Sequence, residues 1–162
     1  MRFLALALTV GLLASSGRAA PVPKQKAPDN PDLAAMQGKW VLADVRFNGN
    51  SLGADFAADL KLTMEIKGDT SVTVGEKFKQ RVTADLVFDR DASPRRLTYA
   101  NSKDTDLDGK PVQDRDAKPT NRVIYKIDGD MLTIGGFMDG NEWPKDFVGK
   151  GVMVMIFKRV KK

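Results

Sequence analysis

Hydrophobic and polar residues alternate along most of the chain from residue 40 onward. In the clearest run, Leu, Leu, Met and Ile occupy positions 60, 62, 64 and 66, with Lys, Thr and Glu between them. A period of two is typical of a β-strand that has one face buried and the other in water. The predicted strands are residues 40–47, 60–67, 71–74, 78–88, 95–100, 122–127, 131–134 and 151–160.

Turn residues separate these runs. Asn48 and Gly49 follow the first run, and Asp128 with Gly129 predicts a two-residue hairpin turn, because both positions of such a turn favour a positive φ. Residues 101–119 carry almost no apolar side chains and are predicted to form one long loop.

Two short segments have a helical rather than an alternating pattern. Residues 32–37 are predicted to form one or two helical turns, with Asn30 or Asp32 as the N-cap, and residues 54–59 form a second helical insert. We therefore predict an all-β fold, a single antiparallel barrel of roughly eight strands with one or two short helical turns.

The last predicted strand is apolar on both faces between residues 152 and 157. One face would point into the barrel, and the other must be covered to avoid an exposed apolar patch. The segments that we expect to cover it are residues 33–36 or residues 54–60.

The N-terminal residues have the pattern of an export signal. Arg2 precedes an apolar stretch at residues 3–13, and Gly17 and Ala19 are small residues at the cleavage positions. The apolar stretch is too short to span a bilayer as a helix, which takes roughly 20 residues. We predict a signal peptide at residues 1–19, a Pro- and Lys-rich leader at residues 20–31 and one barrel domain at residues 32–162, exported to the periplasm or the cell exterior.

The composition excludes several kinds of chemistry. The chain contains no cysteine and no histidine, so thiol catalysis, disulfides and Ser-His-Asp arrangements are excluded. The formal net charge is +5, and removal of Arg2 and Arg18 with the signal leaves 24 basic and 21 acidic residues, or +3. These charges are interspersed, whereas nucleic-acid binders concentrate theirs on one face. We expect no enzymatic activity, no cofactor and no nucleic-acid partner.

Several motifs occur in an order that resembles one protein family. They are Gly-Lys-Trp at residues 38–40, Asn-Gly at residues 48–49, Tyr-Lys-Ile-Asp-Gly-Asp-Met-Leu at residues 125–132, Trp-Pro-Lys-Asp-Phe at residues 143–147 and the basic residues 158–159. Across residues 33–160 the chain resembles a family of exported proteins of planctomycete bacteria with a lipocalin-like domain of unknown function, with Trp143 in place of the family's Arg. The resemblance implies a lipocalin-like barrel and no particular activity. Gly38, Trp40 and Arg159 would form its structural signature. We predict that Arg159, or failing that Lys158, stacks on the Trp40 ring.

A barrel of this strand number either fills its interior with side chains or holds one small ligand. The residues expected to face such a ligand are Leu62, Met64, Val82, Leu86, Tyr125, Ile134 and Trp143. Trp143, in a Gly-rich loop, would either contact a ligand at the barrel mouth or plug one end.

Three hypotheses for the function follow. The first is a monomeric binding module for a small apolar or amphipathic ligand, with no membrane span after signal cleavage. The second is a structural or interaction domain with a filled interior. The third is an enzyme that uses carboxylates.

One acidic segment is a candidate calcium site. Asp104, Asp106 and Asp108 precede Gly109 at alternate positions, as in the first half of a calcium loop. Arg115 stands where an EF-hand needs a Glu, so an EF-hand is excluded. The open alternatives are a looser calcium hook that includes Asp114 or Asp116, and a solvated acidic loop.

The export prediction can be tested by expressing the full chain in a bacterium with a secretory pathway. We expect the protein outside the cytoplasm to begin at Ala20, because Gly17 and Ala19 satisfy the cleavage rule. N-terminal sequencing or intact-mass measurement reads the first residue. An exported protein that still begins at Met1 would contradict cleavage, and retention in the cytoplasm would contradict export.

Overall fold

The computed structural model describes residues 30–112, 120–138 and 142–161. The predicted signal peptide at residues 1–19 lies outside the described residues, as does the predicted leader up to residue 29. No helix among the described residues has the length and apolar character needed to cross a membrane.

Two short helices and nine strands make up the described chain. They are α1 (Pro31–Met36), β1 (Gly38–Phe47), β2 (Asn50–Ser51), α2 (Ala54–Leu60), β3 (Leu62–Lys67), β4 (Thr70–Gly75), β5 (Gln80–Asp89), β6 (Arg96–Asp106), β7 (Thr120–Asp128), β8 (Met131–Phe137) and β9 (Val152–Arg159).

Eight of these strands close into an antiparallel barrel, as predicted. Each strand from β3 to β9 pairs with its neighbours in chain order, and β1 pairs with both β3 and β9. β2 adds only two residues beside the end of β1 and is not part of the closed cylinder. Closure leaves β1 without a free edge at Trp40 and Val41, which pair with β3 on one side and with β9 on the other.

β6 is longer than predicted. Residues 101–106, which the sequence assigned to a loop, continue the strand, and Asp106 pairs with Gln80 of β5. Their side chains are polar because both faces of this part of the strand are at least partly exposed. Backbone pairing does not need apolar side chains, so the hydrophobic pattern missed it. Residues 113–119 of the predicted loop lie outside the described residues.

Two other strand boundaries differ from the prediction. Leu60 ends α2 instead of starting β3, because Lys61 adopts a left-handed conformation with φ of 46° and separates the helix from the strand. Phe78 lies in the turn before β5, where its N–H donates to the Gly75 carbonyl at 3.2 Å.

Helix α1 closes one end of the barrel. Its N-cap is Asn30, whose side-chain oxygen accepts from the N–H groups of Asp32 at 3.0 Å and Leu33 at 3.3 Å. At the other end of the helix, the indole N–H of Trp40 donates to the Met36 carbonyl at 2.8 Å. Both Met36 and Trp40 are fully buried, so the helix is held against the start of β1.

Arg159 completes this closure, and its predicted contact with Trp40 is present. Its guanidinium carbon lies 4.1 Å from the centroid of the Trp40 ring. Its two terminal nitrogens donate to the carbonyls of Gln37 at 2.6 Å and Ala35 at 2.5 Å. One side chain of the last strand therefore fixes the end of α1 and covers the first-strand tryptophan.

A buried carboxylate holds the other side of α1. Asp32, with only 10% of its side chain exposed, accepts a hydrogen bond from the Tyr125 hydroxyl at 2.6 Å. Arg95 lies 2.9 Å and Arg90 3.6 Å from the same carboxylate. Two cations and a hydroxyl compensate the charge that burial would otherwise make costly.

The outer face of β9 is covered by residues 142–150, and neither predicted covering segment was right. The Phe147 ring lies so close to Gly135 that a Cβ there would be 3.0 Å from the ring. Gly135 pairs with Val154 of β9, and Gly149 lies against Val152. Both valines are buried. Helix α2 instead packs on β1, with Ala57 buried in the core.

Replacing Arg159 tests how much its contacts contribute to stability. We expect Arg159→Ala to lower the free energy of unfolding by about 2–3 kcal/mol, because it removes the stack on Trp40 and two charge-assisted hydrogen bonds. Arg159→Lys should recover only part, since an ammonium cannot reproduce the fork of a guanidinium. Urea denaturation measures each change.

The matched control is Lys161→Ala, because Lys161 is 79% exposed and, among the described residues, pairs only with Asp130. It should change the unfolding free energy by no more than about 0.5 kcal/mol. Equal losses in the Arg159 and Lys161 variants would show that Arg159 contributes only surface charge.

Candidate functional site

A cavity of about 270 Å³ lies inside the barrel, toward the end opposite α1. Seven strands, β3 to β9, supply its walls. The lining residues are Leu62, Met64, Ser71, Thr73, Val82, Ala84, Tyr99, Ser102, Asn121, Val123, Ile134, Met155 and Phe157.

The alternation of each strand places these side chains on the inner face. Met64 pairs with Thr73 across β3 and β4, and Thr73 pairs with Val82 across β4 and β5. Directly opposed residues of an antiparallel pair point to the same face, so the three side chains form one row along the wall. Ser71 and Ala84 are paired in the same way, deeper in the barrel.

Small inward side chains leave the space open. Ser71 and Ala84 are both buried, yet neither extends far into the interior. In the half of the barrel nearer α1, the corresponding space is filled by Trp40, Leu132 and Tyr125, which are among the largest buried side chains. The interior is therefore packed at one end and hollow at the other.

Four polar side chains on the lining make no hydrogen bond to any residue that the structure describes. They are Thr73, Tyr99, Ser102 and Asn121. Ser71 differs, since its hydroxyl donates to the Ala84 carbonyl at 3.4 Å. The cavity thus combines an apolar surface with unpartnered hydroxyl and amide groups.

Four of the seven predicted ligand-contacting residues line this cavity: Leu62, Met64, Val82 and Ile134. Leu86 does not line it, although it is buried in the core of the barrel. Tyr125 does not line it either. Its ring packs edge-on against Phe88 at 5.6 Å, and its hydroxyl is bound to Asp32.

Trp143 lies on the outer wall of the barrel, so neither predicted role at the barrel mouth applies. Two guanidinium groups contact its ring, with Arg96 at 5.0 Å and Arg122 at 4.6 Å from the ring centroid. Arg96 belongs to β6 and Arg122 to β7. The stack fixes the segment that covers β9. It could not be predicted from the sequence, because its three members are far apart along the chain.

The acidic residues of the calcium candidate do not gather into a site. Asp104 accepts from the Gln80 amide at 3.0 Å, and Asp106 accepts from the backbone N–H of Lys110 at 2.8 Å. Within the described ranges, no group of three metal-ligating side chains that includes Asp108 or any other acid is found. Asp114 and Asp116 lie outside the described residues.

Sequence reasoning missed the polar part of the lining. Ser71 and Thr73 alternate with Val72 and Val74, and this order indicates the valines as the buried face. The structure has the smaller residues inside. The position of Tyr99, two residues after the buried Leu97, was a usable signal, because period-two alternation places both on one face.

A second depression runs over the outside of the barrel near the start of β1. It is wider, about 830 Å³, and is bordered by Lys39, Lys67, Lys161 and Glu65. Arg159 also borders it, but its guanidinium is engaged by α1 and Trp40. Five of its nine lining residues are charged, whereas those of the interior cavity are neutral and mostly apolar, so the interior cavity is the better candidate site for a small molecule.

Comparison of the chain with protein-family models, curated proteins and solved structures finds no match. The site must therefore be interpreted from its own geometry.

The two tyrosines predict a loss of stability at high pH. Burial raises the pKa of Tyr99, and burial together with the Asp32 carboxylate raises the pKa of Tyr125. The unfolded chain releases these protons near pH 10, while the folded protein retains them. Stability contributed by the protonated hydroxyls is therefore complete below about pH 10 and falls as the pH rises above it, by about 1.4 kcal/mol per pH unit for each tyrosine.

Urea denaturation at about pH 9 to 11, with tyrosinate absorbance, measures this effect. In the double variant Tyr99→Phe/Tyr125→Phe, the free energy of unfolding should fall less steeply with pH, because the contribution of the two tyrosines is gone. If both tyrosines of the folded protein ionise near pH 10 while it stays folded, the expectation is wrong.

Proposed function

We propose that this protein binds a small apolar or amphipathic molecule inside its barrel and does not convert it. The observation that carries the proposal is the cavity of about 270 Å³, in which eight of the thirteen lining residues are apolar. Ligand sites are typically concave and mostly apolar, with a few placed polar groups. By comparison with an apolar cavity of about 150 Å³ that holds one benzene, the volume suits a ligand of about a dozen non-hydrogen atoms.

The alternative hypothesis, a structural domain with a filled interior, agrees with only one half of the barrel. Large side chains pack the end at α1, but Ser71, Thr73 and Ala84 leave the other end hollow. A domain without a ligand would gain stability by filling such a space with larger apolar residues. The hollow end therefore favours binding over a purely structural role.

The lining also favours binding over catalysis. Among the residues that the structure describes, it contains no carboxylate and no lysine that could transfer a proton or attack a substrate. Tyr99 is the single ionisable residue on it, and burial raises the pKa of its hydroxyl away from neutral pH.

We further propose that the chain is an exported, monomeric member of the lipocalin-like family that it resembles. The closed barrel and the stack of Arg159 on Trp40 support the family assignment. The export signal pattern at residues 1–19 supports the location.

The binding proposal predicts saturable stabilisation by small amphiphiles. In a thermal-shift panel of fatty alcohols, fatty acids, quinones and hydrophobic dyes, we expect the short-chain members that fit the cavity to stabilise the protein. A ligand at 100 times its Kd raises the free energy of unfolding by about 2.7 kcal/mol. Calorimetric titration with 1-octanol then gives the affinity and stoichiometry.

Two substitutions on β5 separate cavity binding from surface adsorption. Val82→Phe extends a ring into the cavity and should abolish binding, whereas Val87→Phe places the same ring on the outside, where Val87 is 56% exposed. If binding survives Val82→Phe, or if no ligand of the panel binds the unmodified protein, the structural-domain hypothesis is the better one.

A further inference from the structure

The described residues that line the cavity carry no charge. All thirteen residues are neutral side chains, and Tyr99 remains protonated at neutral pH because burial raises the pKa of its hydroxyl. A carboxylate or an ammonium group transferred into such a site would lose its hydration without gaining a counter-ion among the lining residues, at a large cost in free energy. The lining therefore discriminates against charged head groups of either sign.

The same lining offers hydrogen bonds to a neutral head group. Tyr99 and Asn121 are directly opposed across β6 and β7, so their side chains leave the sheet on the same face, with Cβ atoms about 5 Å apart. Ser102 lies farther along β6 and lines the same cavity. Hydroxyl and amide groups both donate and accept, which matches an alcohol, a ketone or an amide.

The polar and apolar parts of the cavity lie at different depths. Asn121 is exposed, which places the amide at the solvent side, whereas Ile134 and Phe157 are buried to 2% and 1% exposure at the inner side. A ligand with one polar end would therefore place that end near β6 and β7 and its chain against Ile134 and Phe157.

An acid lies on the same face of β6 as the lining residues, because Asp104 is directly opposed to the lining residue Val82. Its negative charge repels an anionic ligand. For a cation it compensates only part of the lost hydration, because this carboxylate already accepts from the Gln80 amide.

We infer that the cavity selects an uncharged amphiphile, with its hydrogen-bonding head at Tyr99, Ser102 and Asn121 and its apolar chain against Ile134 and Phe157. This inference rests on the proposed function and names the class of ligand for the same cavity.

Three ligands with the same chain test the selection: 1-octanol, octanoate and octylammonium, titrated calorimetrically at pH 7 into the mature protein. We expect 1-octanol to bind at least about tenfold more tightly than either ion, because only the ions must shed a charged hydration shell. Octanoate or octylammonium that binds as tightly as 1-octanol would overturn the inference.

Substitution of the head-group side chains tests the orientation. Tyr99→Phe should weaken 1-octanol binding by about three- to tenfold, the usual effect of one lost neutral hydrogen bond. Tyr125→Phe is the matched control, since it removes the other tyrosine hydroxyl from outside the cavity and should leave the affinity unchanged. The pair Ser102→Ala/Asn121→Ala provides a second, independent reduction. Unchanged affinity in Tyr99→Phe and in the pair would overturn the placement of the head.

The results separate this inference from the proposed function. If 1-octanol binds, Val82→Phe abolishes binding and octanoate binds equally well, the cavity is a ligand site but is not selective for neutral heads. If none of the three ligands binds, or if Val82→Phe has no effect, the proposed function and this inference both fail.

Discussion

The structure depends on the pairing of the first strand with the last. β1 pairs with β9 along nearly its whole length, from Trp40 opposite Arg159 to Phe47 opposite Met153. With no cysteine in the chain, no disulfide can hold these distant segments together. The ladder is reinforced at its end by the Arg159 guanidinium, which stacks on Trp40 and binds two carbonyls next to α1. The same side chain thus contributes to closure of the cylinder and to attachment of the helix, so each stabilises the other.

Closure at one end makes the two ends of the barrel unequal. The Asp32 carboxylate, with Tyr125, Arg90 and Arg95, fixes α1 over the packed half of the interior. Because the helix and its charged anchors occupy that end, the interior space lies at the other. The two ends of the site therefore differ. Buried residues such as Phe157 close its inner end, and the Asn121 amide lies at its solvent side.

The sequence predicted the parts of the fold that alternation encodes. The regular runs around Met64 and Tyr125 correctly indicated strands, and the pairing of a first-strand Trp with a last-strand Arg correctly indicated their contact. It failed where backbone pairing or tertiary packing decides. The second half of β6 is polar and still pairs with β5, and Trp143 is held by two arginines that only the fold brings together. At the site, apolar lining residues such as Ile134 could be predicted, but Ser71 and Thr73 could not, since valines beside them have the stronger burial signal.

The polar groups on the cavity wall indicate that the space inside the barrel serves a ligand and not stability alone. A barrel shaped only by stability would replace Ser71 and Ala84 with larger apolar residues, because filling a buried space adds contacts and removes unpartnered polar atoms from the interior. Instead, Thr73, Tyr99, Ser102 and Asn121 face the space without a hydrogen-bond partner among the described residues. Such groups are satisfied either by water or by a ligand that replaces it. A neutral ligand with one polar end would satisfy these groups and the apolar wall together, which neither water nor a charged amphiphile can do.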